Sequence, residues 1–216
     1  MNPTNELYAS LLTAYDHFNE ALFKNTLPKV IFTVQRKKGV MGYFAPERWG
    51  DIDGQKCSEI AINPAYIANS RLIEVMQTLV HEMVHCWQHC FGTPGRDYYH
   101  NKEWALKMIE VGLMPSSTGE PGGRITGQSM GDYIIEGGKF IEAFHRLEAE
   151  KAFQLKWIDR RSIPRLFDPV IAPPGANVKQ GQDQGASLSH SISQNLPADL
   201  MTTVSHSANS TAPFSD

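Results

Sequence analysis

From Leu72 to Val84 apolar residues recur at helical spacing: Leu72, Val75, Met76, Leu79, Val80, Met83 and Val84. At the end of this run stand His81, Glu82 and His85. A helix with such a stripe belongs in the interior, where two imidazoles and a carboxylate are costly to bury unless paired or bound to metal. Positions four apart on an α-helix differ by about 40° in azimuth and about 6 Å in rise, so His81 and His85 can face one point. Two neutral imidazoles on one face suit Zn2+. Glu82, next to the first of them, can lean toward the open side of the metal and act as general base on a water whose pKa the ion has lowered. With 8 His in 216 residues, an H-E-x-x-H pattern arises by chance in about 2% of such chains. The apolar helix around it is the context its chemistry requires.

A catalytic zinc takes three protein ligands and keeps one position open. His89 lies about 12 Å along the axis from His81, too far to share a metal with it. The longer H-E-x-x-H-x-x-G-x-x-H pattern is excluded, because Gln88 and Phe91 stand where it needs Gly and His. His100 and Glu103 remain. A turn-rich break over residues 91–97 ends the first helix, and a second apolar run through Trp104, Met108 and Ile109 stops at Gly112. His100, near the start of that second helix, can swing back to the metal. Glu103, one turn on, can ligate instead or hold an imidazole by its second nitrogen. The reading favours His100 as ligand and places Glu103 behind an imidazole.

Around this centre the pattern predicts an α+β fold. A helix over residues 5–23 is capped by Thr4. Strands are expected over 30–34 and 40–44, paired as a hairpin across 36–39, and a third over 58–62. Together they make a small three-stranded antiparallel sheet packed on helices. An edge strand beside the metal, 43–49 or 58–62, is expected to hold an extended polypeptide by β-addition. Residues 115–131 are glycine-rich and fit neither helix nor strand; Arg124 and Tyr133 are candidates to stabilise an oxyanion. A last helix is expected over 139–157.

Two regions follow from composition: a domain over 1–161 and a tail over 162–216. The tail is rich in Pro, Ser, Gln, Asn and Gly and is expected to be disordered. No run of 18 apolar residues spans a membrane. The N-terminus lacks a signal-peptide pattern, and Cys57, Cys86 and Cys90 form no C-x-x-C pair. A reducing, cytoplasmic location is expected. The net charge of −3 gives no general case for nucleic acid, yet Arg36-Lys37-Lys38 and the looser Arg160, Arg161 and Arg165 can meet DNA phosphates. Nothing in the sequence sets an oligomeric state.

HEMVH, then YHNKEWALKM, preceded by QRKKGVMGYFAPERW, resembles the SprT-like domain family of zinc metalloproteases, related to Spartan proteases that degrade proteins crosslinked to DNA. The resemblance runs from about Leu7 to about Trp157. It implies a zincin-like fold, His81, His85 and His100 as ligands of one zinc ion, and Glu82 as catalytic acid/base. It also implies protein substrates, DNA-bound or DNA-crosslinked ones among them. Many members carry a Cys-rich zinc ribbon after the core, and no such ribbon stands in this sequence. The rival reading is a non-catalytic module in which zinc only staples a DNA- or protein-binding surface. Structural zinc sites are closed and commonly use Cys, whereas this pattern offers three ligands and a base.

Overall fold

In a computed structural model, which describes residues 2–151, 153–159, 162 and 171–175, the chain opens with α1, Pro3–Phe23. Asn2, not Thr4, is its cap: Asn2 Oδ1 accepts from the Thr4 N–H at 2.9 Å. Pro3 draws the start upstream, since its fixed φ suits the first helical position and its missing N–H is not needed there. Leu11, Ala14, Tyr15, Phe18, Leu22 and Phe23 bury one side of α1.

Three strands follow, β1 Ile31–Val34, β2 Gly42–Gly50 and β3 Lys56–Ile62. Their order is β1-β3-β2. β3 runs parallel to β1 and antiparallel to β2, so the sheet is mixed and β1 and β2 do not form the expected hairpin. The reason lies in β3. Ile60, Ala61 and Ile62 are buried in succession, as suits a strand flanked on both sides by neighbours. The segment between β1 and β2 crosses the end of β3, held by Asn63, whose Nδ2 donates to the carbonyls of Lys37 (2.7 Å) and Val40 (2.8 Å). β2 is left at the edge. Of the two stretches expected to receive a peptide, 43–49 is therefore an edge and 58–62 is internal.

After the short α2, Pro64–Asn69, comes α3, Leu72–Phe91, and after a loop α4, Lys102–Val111. Gly112 ends α4 at φ +99°, and a Cβ there would lie 2.6 Å from the Phe140 nitrogen, so only glycine fits. A second sheet was not foreseen. β4 Leu113–Ser116 pairs antiparallel with β5 Gly131–Ile135, and β6 Ile171–Ala172 adds in parallel. α5 covers Lys139–Lys151, shorter than expected, and 153–159 carries no regular structure. The fold is α+β, with both small sheets packed on helices.

The core joins α1, α3, α4, α5 and the inner faces of the strands; Phe18 and Phe140 stack at 5.7 Å. The described residues belong to a compact unit, Met1–Asn177. Most of the expected tail, Arg165 included, lies outside the described residues, as do Arg160 and Arg161 just before it. Among the described residues no helix is long and apolar enough to cross a membrane.

Candidate metal centre

The site is built on α3. Its N-terminus is fastened by Glu74, whose carboxylate accepts from the Arg71 N–H at 2.9 Å. Val75, Met76, Leu79, Val80, Met83 and Val84 then anchor it in the core. That anchoring turns His81, Glu82 and His85 to one side, with the two imidazole rings 5.2 Å apart.

His100 arrives from the loop before α4. Its backbone forms a two-bond bridge with Gly127, N–H to carbonyl at 2.9 and 3.1 Å. A side-chain clamp fixes the same loop. Gln88 Nε2 donates to Asn101 Oδ1 and Glu103 Oε2, both at 2.8 Å, and the Thr93 N–H donates to Glu103 Oε2 at 2.7 Å. Glu103 therefore ties the end of α3 to the start of α4 and does not stand behind an imidazole. The role expected of it falls instead to Asp132 on β5, which accepts from His81 Nδ1 at 2.8 Å and from Gln77 Nε2 at 2.8 Å.

His81, His85 and His100 each present a ring nitrogen within 4.8 Å of the others and could hold a metal ion. Hydrogen bonds set the tautomers that this needs. His81 gives its Nδ1–H to Asp132, and His100 gives its Nδ1–H to the Gly127 carbonyl at 3.2 Å, so both keep a lone pair on Nε2. The Nε2 atoms of His85 and His100 lie 3.1 Å apart. That is close to the edge, about 3.3 Å, of a tetrahedron with metal–nitrogen bonds of about 2.0–2.1 Å. Three imidazoles are a donor set for first-row divalent ions.

The electrostatics agree. Burial, helped by the charges of His81 and His100, holds His85 well below the usual imidazole range. Burial first, then the charge of His81, lowers His100 to about 4. Both rings are neutral at pH 7, the form in which an imidazole can bind a metal. Burial also pulls His81 down, but the Asp132 hydrogen bond and the charges of Glu82 and Asp132 outweigh it and leave its pKa raised. Trp104, fully buried, walls the site, with its ring 5.1, 5.4 and 4.3 Å from those of His81, His85 and His100.

Glu82 is buried beside the three rings. Burial raises its pKa; the His81 charge and a hydrogen bond from the Phe44 N–H act against the rise. Glu82 lies against edge strand β2, its Cγ 3.5 Å from where a Cβ on Gly42 would sit. Close approach is made possible by Gly42, where a Cβ would sit 2.9 Å from Thr78 Cγ2 and 2.9 Å from the Ala61 carbonyl oxygen.

Other candidates lie elsewhere. His89 is exposed, its ring 5.9 Å from that of Phe44. Tyr133 is buried in β5 opposite Met114, and Arg124 is exposed in the 117–130 loop. Cys86 is buried, its thiol pushed up to about 12 chiefly by burial, while Cys90 is exposed. The sequence reading missed Asp132, the Trp104 wall and the Phe44 N–H. Only Asp132 left a signal, a carboxylate opening the extended stretch after a glycine-rich loop.

Comparison with known proteins adds to this geometry. The SprT-like family matches residues 11–121, about half of the chain. An uncharacterized protein in the mucB 3′ region of Salmonella typhimurium is 46% identical over 59 residues, 27% of this chain and 80% of that one. No solved structure matches the chain.

Proposed function

The chain belongs to the SprT-like family, and from that premise we propose that it is a zinc-dependent metallopeptidase that hydrolyses peptide bonds of protein substrates. The observation that carries the proposal is the convergence of His81, His85 and His100 with Glu82 buried beside them. The three imidazoles would hold the ion, which when bound polarises a scissile carbonyl and acidifies water. Glu82 takes the proton of the attacking water and delivers it to the leaving amine; its raised pKa suits a group that must both accept and return a proton. Asp132 keeps His81 in the tautomer with Nε2 free.

Substrate would lie along β2. Main-chain groups of a strand alternate in direction; the Met41 carbonyl accepts from the Asn63 N–H, so Met41 and Tyr43 face β3 and the groups of Gly42 and Phe44 face away from it. The carbonyls of Gly42 and Phe44 thus face the open edge, where an extended polypeptide can pair. Pro46, and the bulge between Ala45 and Trp49, end that edge after a few residues. The proposed substrates are proteins, DNA-bound or DNA-crosslinked ones among them. The DNA part rests on Arg36, Lys37 and Lys38 in the crossing segment, and cleavage measured with and without single-stranded DNA reads it out. A cytoplasmic setting belongs to the proposal, with three free cysteines in its favour.

The test is cleavage of fluorescein-labelled casein by zinc-loaded wild type beside Glu82→Gln. Both should carry about one zinc per chain, and the variant should lose about 10²-fold or more in rate. Undiminished cleavage by Glu82→Gln would sink the mechanism. Bound zinc with no cleavage by wild type would turn the reading to the non-catalytic module.

A further inference from the structure

Side chains alternate along β3, so Glu59 lies on the face of the sheet opposite to Ile60 and Ile62, away from α3. Only 2% of it is exposed. A carboxylate so buried is costly unless its lone pairs are met, and here four donors from the two flanking strands, β1 with its end and β2, meet them. Oε1 accepts from Thr33 Oγ1 at 2.8 Å, Gln35 Nε2 at 3.2 Å and Tyr43 OH at 2.8 Å. Oε2 accepts from Trp49 Nε1 at 2.7 Å.

Tyr43 and Trp49 stand on either side of the bulge where the pairing of β2 with β3 lapses. Within the bulge Glu47 has φ +47°, a left-handed conformation that an L residue keeps only when its surroundings hold it. Across this gap, the ladder does not fix β2. Side chains of β3 do: Ser58 Oγ accepts from the Glu47 N–H at 3.1 Å, Lys56 Nζ lies 2.6 Å from Glu47 Oε2, and Glu59 gives one oxygen to Tyr43 before the bulge and one to Trp49 after it. The same strand carries Gly42, which lies against Glu82. An apolar cluster could fasten these strands as firmly, but without the direction that two oxygens impose on four donors.

We propose that Glu59 is a positioning residue which, through Tyr43 and Trp49, holds the bulged edge strand β2 in the shape that receives an extended polypeptide. It rests on the peptidase reading for the identity of the ligand, and its test does not require turnover.

The experiment is amide hydrogen exchange on zinc-loaded wild type and Glu59→Gln, with and without casein, beside steady-state cleavage. In wild type, casein should protect 42–45. In Glu59→Gln that protection should vanish and exchange over 42–50 should quicken by about tenfold, the scale of one hydrogen bond. Zinc content and exchange in α3 should not change, and KM for casein should rise several-fold with kcat within about twofold, the mark of lost ground-state binding. If Glu59→Gln does not fold, Tyr43→Phe and Trp49→Phe, each lacking one donor, carry the same test. Unchanged exchange over 42–50 in the variant, or no casein protection of 42–45 in wild type, overturns the proposal. A variant that loses zinc or kcat in step with KM also overturns it, since Glu59 would then serve the fold at large. Protection without any cleavage by wild type supports it and refutes the peptidase reading alone.

Discussion

Asp132 is the residue on which the site differs most from its reading in the sequence. His81, Glu82, His85 and His100 are legible there because their chemistry is crowded into one helix and the loop that follows. Asp132 meets His81 only through the folding of a second sheet against α3, and its one local signal, a place at the start of an extended stretch, does not say which imidazole it will meet. Glu103, at the better-looking spacing, is taken up by Thr93 and Gln88. The Phe44 N–H that reaches Glu82 belongs to the backbone and has no sequence signature at all. These assignments have measurable consequences. Asp132→Ala should weaken zinc binding by about 10–100-fold, the usual effect of removing a carboxylate behind a ligating imidazole. Competition with a fluorescent chelator measures it. His100→Ala should lose the metal far more completely in the same assay, because a first ligand goes. Equal losses for Glu103→Ala and Asp132→Ala would return Glu103 to the role first expected of it.

At the scale of elements, helices α3 and α4 were legible from apolar periodicity and the glycine that ends the second. The sheets were not. Proximity in sequence suggested a β1–β2 hairpin, yet the run Ile60-Ala61-Ile62, buried in succession, takes the central place with β1 on one side and β2 on the other. The second sheet escaped notice because a long glycine-rich loop separates its first two strands. What the strand order produces is an edge beside Glu82, and Gly42 governs how close that edge comes. Gly42→Val places a Cβ 2.9 Å from Thr78 Cγ2 and the Ala61 oxygen, so β2 must move off α3. The expected cost is about 1–3 kcal/mol, seen as a lower thermal midpoint. Casein cleavage should fall as the Phe44 N–H leaves Glu82. Thr78→Ser removes Cγ2 and should restore part of both in the double variant. A Gly42→Val protein as stable and active as wild type would mean that β2 does not depend on this contact.

At the scale of the molecule, the proposed metal centre joins parts that are distant along the chain: α3 carries two imidazoles, the loop before α4 a third, and β5 the carboxylate that orients one of them. Such a site does not exist in the unfolded chain, so metal binding adds directly to folding stability, and chelation should lower the urea midpoint. The metal-free protein then exposes a second dependence. His100 titrates near pH 4 in the fold and near about 6.5 when unfolded. Between those values the unfolded chain binds the extra proton, so stability rises with pH through this window and is lost as pH falls. From pH 7 to pH 5 this ring alone should withdraw about 2 kcal/mol. His81 and Glu82, whose pKa values are raised, act in the opposite direction, so the contribution is isolated by difference. Metal-free wild type should lose more stability between pH 7 and pH 5 than metal-free His100→Asn, in urea unfolding followed by circular dichroism. Parallel losses in the two proteins would show that the ring is solvated in the metal-free fold, and that His100 is brought to the site by the metal rather than by its bridge to Gly127.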